Sequence, residues 1–108
     1  MRQFIVLLAL GALASGAAAA GNADRGAEKA KQVCAACHGA DGNTPLLPDY
    51  PRIAGQHADY LYKALRDYKS GARKNAIMGS QAANLSRQEM QDLAAYYSGL
   101  HGSLGVKR

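Results

Sequence analysis

Cys34-Ala35-Ala36-Cys37-His38 holds both cysteines of a 108-residue chain. Two cysteines at this spacing admit three chemistries: a redox disulfide, part of a zinc site, or a pair of covalent anchors for a prosthetic group. The histidine directly after them favours the third if the rest of the chain agrees. On a helical turn, positions i, i+3 and i+4 share a face, so two thiols and an imidazole converge there.

The first twenty residues, MRQFIVLLALGALASGAAAA, read as a secretory signal peptide. Arg2 supplies the positive start, Phe4 to Leu13 the apolar core, and Ala18 and Ala20 the small residues before a cut at Gly21. The apolar core falls well short of the roughly 20 residues of a membrane span. The expected organisation is a signal peptide over 1–20 and one domain over 21–108. Export implies a bacterial periplasm, with no stable membrane insertion after cleavage.

Thirteen Lys and Arg face eight Asp and Glu, for a formal charge of +5. The basic residues are scattered, with Arg73-Lys74 and Lys107-Arg108 the only adjacent pairs, so no nucleic-acid stripe is present. The chain has no Trp, and its one Phe, Phe4, lies in the leader. Six tyrosines and a modest aliphatic set make a thin core for so small a domain. Scaffolds of this size usually need a staple or a metal centre.

Three helices are expected. The first runs from Ala23 to Ala36 behind Asn22 as N-cap, with small residues at Gly26 and Ala30 on its inner face. The second covers Ala58 to Ser70, with Leu61, Ala64, Leu65 and Tyr68 on one side and Gly71 as the stop. Ser86-Arg87-Gln88-Glu89 is a capping box that opens the third, and Leu85 and Met90 form its hydrophobic staple. Residues 39–56 and 71–84 read as long loops. No strand is evident, so the class is all-α.

This context separates the three chemistries. A thioredoxin-like pair calls for a βαβ unit, which is missing. A structural zinc calls for four ligands, and adjacent Cys37 and His38 do not have the usual spacing. C-x-x-C-H is the attachment signature of c-type haem: each thiol becomes a thioether to a vinyl carbon, and the imidazole reaches the iron. A haem would also supply the apolar body the composition lacks.

CAACHGADGN, YPRIAGQ, YLYKALRDYKSGARKN, the methionine after it and LSRQEMQDLAAYYSGL occur in that order, and over residues 22–100 the chain resembles the class I c-type cytochromes. It is most similar to the small periplasmic monohaem proteins and to one half of the dihaem ones. The resemblance implies helices wrapped around one covalently attached haem c, whose iron takes His38 and a methionine. Met1 leaves with the leader and Met90 serves as the staple, so Met78, in the loop after the second helix, is the expected distal ligand. His57, at a helix start, and His101, near the tail, are its weaker rivals. The resemblance further assigns Pro51 as the carbonyl partner of His38, Ile53 as a haem contact, and Gly26, Ala30 and Tyr96 as the contact of first and last helices. Arg73 and Lys74 are candidates, without assignment, for the haem carboxylates.

The function implied is one-electron transfer between respiratory redox proteins, without enzymatic activity. The donor would be a quinol-oxidising complex or a dehydrogenase, and the acceptor a terminal oxidase or reductase. The alternative is a haem-bearing electron-transfer subunit of a larger periplasmic or membrane-associated oxidoreductase. A ligand-binding haem would need an open iron.

Overall fold

The computed structural model describes residues 21–102 and 104, so the leader expected over 1–20 lies outside the described residues. Helix α1 spans Ala23–Val33, and the Asn22 side chain accepts the Arg25 amide at 2.9 Å. The continuous helix expected to Ala36 is instead interrupted at Cys34, and a single turn, α2, follows over Ala35–His38. The Cys34 carbonyl accepts from both Cys37 N (3.2 Å) and His38 N (3.0 Å), which tightens the chain at the motif. Gly39 ends the turn at φ +90°, and a Cβ there would come within 2.2 Å of the Thr44 carbonyl.

Helix α3 covers Ala58–Ser70 and stops at Gly71, whose left-handed φ of +88° suits glycine. The stretch expected as a loop over 71–84 contains a further helix, α4, over Ala76–Ala83. Asn75 caps it by accepting the Met78 amide at 2.9 Å. Its sequence, AIMGSQAA, has no apolar stripe, so periodicity carries no sign of it, and Asn75 stands among the glycines and asparagines of an apparent loop. Helix α5 spans Arg87–Gly99 behind a complete capping box: Glu89 N donates to Ser86 Oγ at 3.0 Å and Ser86 N to Glu89 Oε1 at 2.9 Å. The staple residues Leu85 and Met90 are both buried. The described residues are all helix and loop, as the all-α expectation required.

The core gathers on α5. Leu93, Tyr97 and Met90 pack with Ala30 of α1 and with Leu85. Each large apolar side chain buried this way contributes about 1.5–3 kcal/mol. Gly26 allows α1 and α5 to touch, since a Cβ would lie 2.1 Å from the Asp92 carbonyl and 2.8 Å from Tyr96 Cβ. Asp92, 2 % exposed, accepts from Asn22 N at 2.8 Å, Arg25 Nε at 3.0 Å and Gln88 Nε2 at 2.9 Å. On the other side, Lys69 Nζ of α3 donates to the carbonyls of Ala83 (3.1 Å) and Leu85 (2.6 Å), fastening the end of α4. A cation at a helix C-terminus is doubly favoured, by charge and by its free carbonyls.

Candidate functional site

A cavity of about 220 Å³ lies against α3 and α5, with Cys34, His38 and Met78 all on its wall. Ile53, Leu61, Leu65 and Leu93 supply apolar sides. The loop between α2 and α3 is what brings His38 into register. The Gly42 carbonyl accepts Ile53 N at 2.8 Å and Ala54 N at 3.0 Å, and Gly55 N donates to Tyr97 O at 2.9 Å. Gly42 sits at φ +68° against the Tyr97 ring, which a Cβ would approach to 2.8 Å. So the loop is fixed to α5 at two points, and the Pro51 carbonyl stands 2.8 Å from His38 Nδ1.

A carbonyl can only accept, so Nδ1 carries the proton and Nε2 keeps its lone pair. That is the tautomer a metal-ligating imidazole needs, with its ring orientation fixed from behind. His38 is 7 % exposed.

Both cysteines are free thiols and half-buried; Cys34 reaches the cavity wall and Cys37 does not. Burial pushes the Cys34 thiol up to about 11, against the lowering effects of the Tyr97 hydroxyl and Lys29. Burial, and then Cys34 itself, pushes Tyr97 up as well. A thiol protonated at neutral pH is a poor redox nucleophile, which argues against the thioredoxin-like alternative. Among the described residues, no group of three His, Cys, Asp or Glu side chains could hold a metal ion by itself. The zinc alternative therefore has no ligand set there.

Met78 occupies the first turn of α4, half-buried. Pro51 and Ile53 line the same cavity as Met78 and His38. His57, the N-cap of α3, and His101 are exposed and line no part of it. Arg73 is on the wall and Lys74 is not. Arg52 and Tyr97, not among the residues expected from the sequence, also line the cavity. Arg52 is legible as the one charge inside YPRIAG, whereas Tyr97, four residues after Leu93, reads as part of an apolar helix face. An apolar slot with one imidazole, one thioether, a thiol and two guanidinium groups fits a covalently attached haem and its carboxylates.

The comparisons agree with that chemistry. The family Cytochrome c matches residues 23–100. Cytochrome c4 of Pseudomonas aeruginosa is 46 % identical over 101 residues, covering 94 % of this chain and 49 % of the relative. Cytochrome c-554(548) of Halomonas halodenitrificans is 44 % identical over 82 residues, covering 73 % of this chain and 96 % of the relative. The crystal structure of reduced recombinant cytochrome c4 from Pseudomonas stutzeri superposes with a TM-score of 0.71 at 41 % identity, over 78 % of this chain and 48 % of that one. The chain thus spans about half the length of the cytochrome c4 relatives and nearly all of the shorter one.

Proposed function

Because the chain belongs to the cytochrome c family and its C-x-x-C-H motif implies one covalent haem c, we propose that it is a periplasmic one-electron carrier with His38 and Met78 as axial ligands. Cys34 and Cys37 would tether the haem through thioethers. The observation that carries this reading is the cavity itself, which His38 from α2 and Met78 from α4 both line. The Pro51 carbonyl holds the imidazole in the tautomer that leaves Nε2 free for iron. The Asn75 side chain accepts the Met78 amide and so caps the turn of α4 that carries Met78 on the cavity wall.

When bound, the haem would supply an Fe(III)/Fe(II) couple, and ligation by the Met78 thioether together with the His38 imidazole would raise its potential. Ile53, Leu61, Leu65 and Leu93 keep water from the site and favour the less charged ferrous form. With His38 and Met78 both taken up as ligands, no site on the iron would be left for a substrate. That favours electron transfer over enzymatic turnover.

The donor on this reading is a quinol-oxidising complex or a dehydrogenase, and the acceptor a terminal oxidase or reductase. Contacts would be brief and steered by the positive charge of the chain. One relative, the cytochrome subunit of sulfide dehydrogenase of Chlorobaculum tepidum, 37 % identical over 67 residues, favours a second reading: a haem-bearing unit working inside a larger oxidoreductase. Among the described residues no helix is long and apolar enough to cross a membrane.

Carbon monoxide tests the closed iron. Ferrous holoprotein is expected to keep its absorption spectrum unchanged under the gas; prompt formation of an adduct would contradict the two-ligand assignment. Purification from periplasm as a free, rapidly exchanging monomer supports the carrier, and a stable co-purifying complex supports the second reading.

A further inference from the structure

Two charged side chains line the cavity in addition to the ligand histidine. Both are arginines, Arg52 and Arg73, and no acid lines it. Neutral groups hold each of them. Arg52 Nε donates to the Asn43 carbonyl at 3.0 Å. Arg73 Nη1 donates to the Tyr60 hydroxyl at 3.3 Å, and its guanidinium carbon lies 4.8 Å over the Tyr68 ring. The turn after α3 sets this position, with Arg73 N donating to Asp67 O at 3.0 Å just past the left-handed Gly71. Among the described residues, neither arginine forms an ion pair with a carboxylate.

A planar guanidinium with donors to spare is the side chain best matched to a carboxylate, because its fork meets both oxygens at once. Haem carries two carboxylates, and an apolar cavity would leave them unpaired. We propose that Arg52 and Arg73 bind the haem propionates, and that their two positive charges help to set the reduction potential. The inference rests on the assignment of this cavity to haem. It also decides between the two basic residues singled out in the sequence: Lys74 Nζ turns to the Gly71 carbonyl at 3.3 Å and is absent from the wall, so Arg73 is kept and Arg52 joins it.

Holoprotein carrying Arg52→Gln or Arg73→Gln tests the assignment, with Arg66→Gln as the charge control. Arg66 stacks on Tyr62 at 4.9 Å and does not line the cavity. Resonance Raman reads the propionate bending modes, and a redox titration reads the potential. Both cavity variants are expected to shift the propionate modes and to lower the potential more than Arg66→Gln, which leaves those modes in place. Arg73→Lys is expected to recover part of the potential without recovering the Raman pattern, since charge returns and the fork does not. Tyr60→Phe, which removes the hydroxyl that Arg73 donates to and keeps the ring on the cavity wall, is expected to move the modes less than Arg73→Gln. Unmoved propionate modes in both glutamine variants would overturn the proposal. The far-red iron–thioether band, recorded on the same samples, separates a failure here from a failure of the Met78 assignment.

Discussion

Helix α5 is packed on its two sides by different means. Toward α1 the contact is protein on protein: Gly26 lets the backbones meet, Ala30 and Leu93 are buried, and the Asp92 carboxylate is enclosed by three donors. Toward α3 and α4 little is fully buried. Helix α3 has no buried residue and α4 only Ala82, while Leu61, Leu65, Tyr68 and Met78 stand half-buried around the cavity. One side is closed by the chain; on the proposed reading the other would be completed by the haem. The α1–α5 junction would then act as the frame, and the α3–α4 side as the part whose order depends on the cofactor.

The harshest way to break that division is to prevent attachment. A Cys34→Ala, Cys37→Ala double variant is expected to lose most of its helical circular dichroism and its cooperative melting, because the remaining core is small. A native-like transition without haem would show that the frame suffices. Next in size is Gly26→Ala, whose methyl would meet Asp92 O at 2.1 Å. Backbone cannot yield as a side chain can, so a loss of about 3 kcal/mol is expected in thermal unfolding of the holoprotein. In the fraction that folds, the far-red band should persist, since the frame and the ligand side are separate.

Asp92→Asn is expected to cost about 1.5–3 kcal/mol, the range for hydrogen bonds to a charged acceptor. It also predicts a pH effect. Burial alone would raise the Asp92 pKa, but Arg25, the Asn22 amide and Gln88 together hold it below the usual carboxylate value. A depressed carboxylate adds stability above its unfolded pKa of about 3.9 and loses it as pH falls through the folded value. Glu89, held down by the Ser86 amide and then by Lys29, adds in the same direction. Melting temperature should therefore fall below about pH 4, less steeply in Asp92→Asn than in the parent. Equal slopes would remove Asp92 from that account.

The smallest effect on stability, about 1 kcal/mol, belongs to Lys69→Met, which keeps the stem and loses two charge-assisted bonds to the end of α4. Its sharper signature lies on the cofactor side. Added imidazole should displace the thioether faster from the ferric protein when α4 is untied. An unchanged displacement rate would mean that Lys69 serves only the chain.

The helix ends and the motif are legible in the sequence because both rest on local chemistry. Asn22, Gly71 and the Ser86–Glu89 box are caps that any helix of this composition would need, and C-x-x-C-H has few physical uses. Gly26 against Tyr96 and Pro51 behind His38 were reached only through resemblance, since no local rule says which carbonyl a distant imidazole meets. Helix α4 escaped because its short, Ala-rich turn pair has no apolar period; its stability comes from the Asn75 cap and from Lys69 across the chain. Arg52, Tyr97 and the enclosure of Asp92 arise where loop, α1 and α5 converge, and such convergence is a property of packing rather than of any one segment.

The far-red absorption of ferric holoprotein, compared between the parent and Met78→Ala, puts the central claim most directly to the test. An iron–thioether charge-transfer band present in the parent and absent in Met78→Ala, together with a lower reduction potential, is the expected result. A band and potential that survive the substitution would contradict ligation by Met78 and reopen the iron.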